Sequence, residues 1–200
     1  MRILSLLMNA ALAGIVLAVM LRVLRRDGHW DVPKALHMSR YFTTLSNVFC
    51  GVCAALFLFF EALGRVPGFI WLLKYLGTVS VTVTLLTVLL FLAPAKGSLK
   101  ALLRGSNLYF HLICPLLAIL SFTLCELRRA PVYVYALGIL PVLSYGLVYL
   151  QKVCFAPLDN RWNDFYGFNR DGRWRVSFRL MQLGGLGVCA LYWFLSLAFA

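Results

Sequence analysis

Six long apolar runs, separated by short polar and basic connections, set the pattern of the chain. A helix needs about 20 mostly apolar residues to cross a bilayer. The runs predict helices over about Ile3–Val23, Tyr41–Leu63, Phe69–Ala93, Asn107–Cys125, Pro131–Leu150 and Phe178–Phe199. Pro94 is expected to close the third, and Pro131 opens the fifth in the first-turn position that proline favours. No linker, second domain or internal repeat is visible. Residues 1–200 therefore read as a single all-α domain, a polytopic membrane bundle of six transmembrane helices. The first run has the outline of a signal peptide, but it is long, and Arg22, Arg25 and Arg26 follow it like a stop-transfer signal. It is expected to be retained as a helix.

Composition agrees. The chain is 62% hydrophobic and 13% charged, with mean hydropathy +0.85, where a soluble domain carries about 25% charged residues. The net charge of +12 sits mainly in the connections. That placement suits anionic lipid headgroups, and no groove-reading motif supports nucleic acid as a partner. Fourteen of the nineteen Lys and Arg residues fall on the side of the connections after the first, third and fifth runs, and four on the other. The positive-inside rule puts the first side in the cytoplasm and both termini outside a cell membrane. The nineteenth, Lys74, lies inside the third run and is expected to snorkel outward.

Polar residues inside the runs are the candidates for chemistry. His111 lies in the first turns of the fourth run, four residues before Pro115. In an α-helix residue 115 would bond the carbonyl of residue 111, so the proline is expected to free the His111 carbonyl and bend the helix. Thr43 stands in the first turn of the second run at a similar depth, with Ser46 and Asn47 one turn deeper. A neutral imidazole can take the proton of a threonine hydroxyl. Early amides of the second helix could then stabilise an oxyanion. Asp164, in the last connection, is the candidate to orient the imidazole. That connection, Trp162-Asn-Asp-Phe-Tyr-Gly-Phe168, reads either as an interfacial aromatic belt or as a lid through which Asp164 or Asn163 reaches His111. Ser46, Asn47, Thr87, Tyr145, Trp162 and Asn163 are the candidates to contact a substrate. Ser80, Thr82, Thr84 and Thr87 also suit bonding between helices.

No H-E-x-x-H or paired-cysteine zinc motif occurs, so neither metal nor another cofactor is expected. His29 and His37, with Asp27 and Asp31 nearby, read as solvated loop residues. Cys50 and Cys53 form a C-x-x-C inside a membrane run, where cysteine usually packs. Gly184, Gly185 and Gly187 suggest close approach of the last helix to its neighbours. Pro141 predicts a kink in the fifth.

Two stretches, Arg40-Tyr-Phe-Thr43-Thr-Leu-Ser-Asn47 and Leu108-Tyr-Phe-His111-Leu-Ile-Cys-Pro115, together resemble the androgen-induced six-helix membrane proteins and their bacterial relatives. Trp162–Phe168 resembles the aromatic motif which that family places before its last helix. The resemblance implies an intramembrane threonine hydrolase of lipid-like, fatty acid esters, with Thr43 as nucleophile and His111 as base. Ser46 stands where animal members carry an acidic residue, and the loop around Trp162 is longer and more basic. The alternative is a non-enzymatic protein whose polar cavity holds a lipid or small molecule. A third reading, acyl transfer through Cys114, rests only on its place three residues from His111.

Overall fold

Each apolar run forms one long helix in the computed structural model, which describes residues 1–26 and 29–200. The helices are α1 (Arg2–Leu24), α2 (Phe42–Ala62), α3 (Gly68–Leu92), α4 (Ser106–Glu126), α5 (Val132–Phe155) and α6 (Trp174–Phe199). All six are long and apolar enough to cross a membrane. Local residues set their limits. Pro67 and Pro131 precede α3 and α5, and glycines with positive φ, Gly64, Gly105 and Gly172, stand in the turns beside α2, α4 and α6. A short helix, Val32–Met38, lies between α1 and α2, with Asp31 accepting from the Lys34 amide at 3.0 Å as its cap. Arg25–Arg26 and His29–Trp30 form a two-residue antiparallel ribbon. Asp27 lies outside the described residues. The connections after α1, α3 and α5 share one end of the bundle, the basic face, which carries most of the lysines and arginines.

α3 is the centre: 61% of its apolar window is enclosed, against 28–44% for the other five. It packs against α2 and α4 on one side and α5 and α6 on the other. Toward the face opposite the basic one, Trp71, Tyr75, Phe122, Tyr135 and Tyr192 form an aromatic core across α3, α4, α5 and α6. Tyr75 there donates to the Tyr135 carbonyl at 2.7 Å, which spares a buried phenol an unmet bond. A second core of Leu12, Val16, Cys50, Val81 and Ala118 joins α1, α2 and α4 to α3. Backbones approach closely where glycine permits. A Cβ on Gly77 would stand 3.0 Å from the Cys50 Cα, which sets the α2–α3 crossing.

Several expectations need correction. α3 does not stop at Pro94: a π turn, Val88–Leu92, widens the helix and a further turn, Ala93–Lys96, continues to Gly97, whose φ of 65° ends it. Lys74 does not snorkel but is fully buried and faces Glu126 across 3.7 Å. Of the three α6 glycines only Gly185 marks a close approach, since a Cβ there would collide with Ile139 Cδ1, while Gly184 and Gly187 face open space. Before Pro141, α5 tightens into a 3₁₀ turn, Leu137–Ile139.

Candidate functional site

The first turn of α2 and a widened turn of α4 meet near the basic face. In α4, Tyr109–Ile113 is a π turn, with the Cys114 amide bonded to the Tyr109 carbonyl. This register changes which carbonyl Pro115 leaves free. In a π turn residue i bonds i−5, so the missing proline amide orphans Phe110 rather than His111. The Asn47 side-chain amide fills that gap at 2.9 Å, and also donates to the Thr43 carbonyl at 2.8 Å. One fully buried side chain thus ties the Thr43 turn to the His111 turn. The sequence shows the proline, but not the register that moves the orphan by one residue.

His111 is buried, and its Nδ1 stands 2.7 Å from the Leu102 carbonyl. A carbonyl only accepts, so Nδ1 carries a proton, and in a neutral ring the lone pair is then on Nε2. The group that orients this imidazole is a backbone oxygen of the α3–α4 connection. Asp164, expected in that role, is engaged elsewhere. Its Oδ1 accepts from the Tyr149 hydroxyl at 3.0 Å and the Phe168 amide at 2.8 Å, and its Oδ2 accepts from the Asn169 amide at 2.7 Å. Asp164 therefore shapes its own loop. Asn163 is exposed beside it, its carbonyl accepting from the Phe165 amide at 3.0 Å.

That loop folds back over α5 and reaches α2. Its aromatic residues pack on Tyr149 and Val153. The Tyr41 and Phe165 rings meet tilted at 32° with centroids 4.4 Å apart, and Arg40 lies over Trp162 at 5.9 Å. The Phe42 amide donates to the Tyr166 hydroxyl at 3.1 Å, so this early amide of α2, expected as an oxyanion donor, already has a partner. Burial pushes the Tyr166 phenol above its ordinary value, and the Tyr145 and Thr43 hydroxyls are its neighbours. It stays a neutral hydroxyl. Tyr166 is the partner of this turn that the sequence reading did not name. The aromatic run around it was the available signal.

Thr43 lies on the wall of a cavity of about 420 Å³ enclosed by α2, α3, α5, α6 and the loop. Its polar groups are Thr43, Thr84, Thr87, Tyr145, Tyr149, Tyr166 and Ser177, most of them toward the basic face, and deeper it is lined by Val83, Val142 and Val188. Leu86, Leu90, Phe91 and Leu180 are both wall and exposed surface, so the cavity opens sideways between α3 and α6. His111 is not among its lining residues. A second cleft of about 320 Å³ lies between α2 and α5, with Ser46, Ser80, Ser144 and Trp162 on its walls. The two share Phe42 and Tyr145, whose rings stand 5.0 Å apart, and Tyr145 donates to the Arg40 carbonyl at 2.7 Å.

Of the other candidates, Ser46 shares a 2.8 Å hydrogen bond with Thr84, and Thr82 shares one of 2.9 Å with Tyr192. Ser80, Thr82 and Thr84 also donate to the carbonyl one turn earlier. His37 Nε2 lies 3.3 Å from the Tyr41 hydroxyl on the surface, and His29 is exposed in the ribbon. Among the described residues, no three His, Cys, Asp or Glu side chains gather as metal ligands. Cys114, Cys50 and Cys53 are buried free thiols.

Fold and site together define a multi-pass membrane protein with a cavity open to the side of its bundle. No family model matches the chain, and neither a curated protein nor a solved structure matches it.

Proposed function

We propose that this membrane protein takes a lipid-like molecule sideways from the bilayer into the cavity between α3 and α6. The observation that carries this reading is the polarity of the walls. Hydroxyls cluster near the basic face and valines line the deeper part, matching an amphiphile with its polar end at the membrane surface. The basic face is the cytoplasmic one in this reading, from the excess of lysine and arginine there. Gly184 gives a direct test, because it lines the cavity and a Cβ there meets nothing within 4 Å. Gly184→Phe should fill the space without straining the fold. A photoreactive fatty-acyl lipid should label α6 around Leu180 in the unchanged protein, and labelling should fall at least tenfold in the variant at an unaltered melting temperature. Equal labelling of the two would refute the binding site.

The second reading is hydrolysis of a lipid-like ester, with Thr43 as nucleophile and His111 as base. Two observations favour it: the Leu102 carbonyl leaves Nε2 as the basic nitrogen, and Asn47 joins the Thr43 and His111 turns. The resemblance of the two motifs to the threonine hydrolases adds to it. In this reading a fluorophosphonate probe labels the detergent-purified protein, and Thr43→Ala abolishes the labelling. Labelling that persists in that variant excludes Thr43 as the nucleophile.

A further inference from the structure

Away from the basic face, α1, α2, α3 and α4 enclose a second polar centre, none of whose residues lines either cavity. Lys74 and Glu126 are both buried, 3.7 Å apart. Glu126 Oε1 accepts from Asn9 Nδ2 at 2.7 Å and from the Ser121 hydroxyl. Ser5 Oγ lies 2.7 Å from Glu61 Oε2 and 3.5 Å from Glu126 Oε1, so one hydroxyl stands between two carboxyl groups. The charged groups that face Glu61 are Glu126, Arg2 and Lys74. Arg2 directs its guanidinium to the Glu61 and Ala62 backbone carbonyls, at 2.8 and 3.2 Å.

A hydroxyl has one proton and donates to one acceptor at a time. Were both carboxyls ionised, one of the two Ser5 contacts would set lone pair against lone pair. Two negative charges would also face a single buried ammonium, while the Arg2 guanidinium is bonded to backbone carbonyls and to neither carboxylate. Carboxylates that share a site do not both ionise readily, and burial sharpens the cost of the second charge. Glu126 has the ammonium and the larger set of donors. Glu61 is the carboxyl left to take a proton. It then donates to Ser5, and Ser5 donates to Glu126. Lys74 Nζ, Glu126 Oε2 and Asn9 Oδ1 are buried without a hydrogen-bond partner among the described residues. The centre thus has polar capacity beyond what its own side chains fill, as sites that exchange with water do.

Access is one-sided. Glu61 is half-buried, one residue from the end of α2. Past Lys74 toward the basic face Leu12, Val81 and Ala118 pack between the helices, and the buried Thr78, Ser80 and Thr82 hydroxyls each donate to a carbonyl one turn earlier in α3. We propose that Glu61, Ser5, Glu126 and Lys74 form a proton-binding centre that exchanges one proton with solution at the face opposite the basic one. The proton passes from water to the Glu61 carboxylate and returns to water by the same route. The centre binds a proton and does not conduct it, and it does not depend on what the cavity holds.

Infrared spectroscopy of the full chain in lipid nanodiscs tests this. At neutral pH the unchanged protein should show the C=O stretch of a protonated carboxylic acid, shifted in heavy water and lost at alkaline pH. Glu61→Gln keeps a neutral donor beside Ser5 and should remove the band. Ser5→Ala retains both carboxyls and should change the pH at which the band titrates, which covers the case of a Glu61 variant that does not fold. Absence of the band at neutral pH, its survival in Glu61→Gln, or a titration unmoved by Ser5→Ala overturns the proposal. An ion pair with a purely structural role gives the first of these results.

Discussion

Asn47 holds two helices with one amide group, and its loss should be felt at both. Replacing it with leucine keeps the bulk but leaves the Phe110 carbonyl buried without a donor. The expected cost is about 1–3 kcal/mol, the penalty of an unsatisfied buried polar group. Denaturant titration of the detergent-solubilised Asn47→Leu variant measures it, and a change below about 0.5 kcal/mol would deny the bridge its role. At this scale the sequence was partly legible. His111, Thr43 and Asn47 stood out because polar side chains inside apolar runs need partners. Their partners did not stand out, because a backbone oxygen such as Leu102's carries no residue-type signal. Lys74 was misplaced for a related reason. Snorkelling is the default for a lysine near a helix end, and only the packing of α4 brings Glu126 within reach.

At the scale of the helix, length and apolar content located all six spans, since the bilayer imposes one thickness on every crossing. Internal irregularities were harder to read. The π turns around Leu90 and His111 precede prolines, yet proline alone does not specify whether a helix kinks, tightens or widens. Glycine spacing misled in the same way: three glycines in α6 suggested a packing face, and only Gly185 approaches a neighbour closely. The crossing of α2 and α3 at Gly77 gives a sharper expectation. Gly77→Val forces a side chain toward the Cys50 backbone, 3.0 Å from where its Cβ would stand. It should destabilise by about 1–3 kcal/mol, as overpacking does. Gly187→Val, facing open space, should leave the melting temperature of the purified protein nearly unchanged.

The whole molecule divides into two parts that meet along α3. α1, α2 and α4 gather on one side and α5 and α6 on the other. Near the basic face the Phe42–Tyr145 contact, the Tyr145–Arg40 hydrogen bond and the folded loop bridge the parts, and a cavity lies on either side of the Phe42–Tyr145 contact. Nothing in hydrophobic periodicity announces such a division, because each helix alone looks much like its neighbours. Charge does announce an orientation. With the basic face in the cytoplasm, a tag fused ahead of Met1 should be reached by a membrane-impermeant protease or antibody applied outside intact cells. Protection of that tag until the membrane is breached would reverse the orientation.

The Lys74–Glu126 contact also bears on how the chain comes to lie in the membrane. A lysine at the centre of a spanning helix opposes insertion by about 2.5–3.5 kcal/mol. Lys74 lies near the start of α3, so on arrival it can stretch to the headgroups and escape most of that cost. Its ion-pair partner comes at the far end of α4. If α3 enters the membrane before α4, its ammonium is expected to face outward until α4 docks and draws it inside. The last turn of α4 then acts as the latch on a two-helix hairpin, and a chain cut before Glu126 lacks the carboxylate that pairs with its lysine.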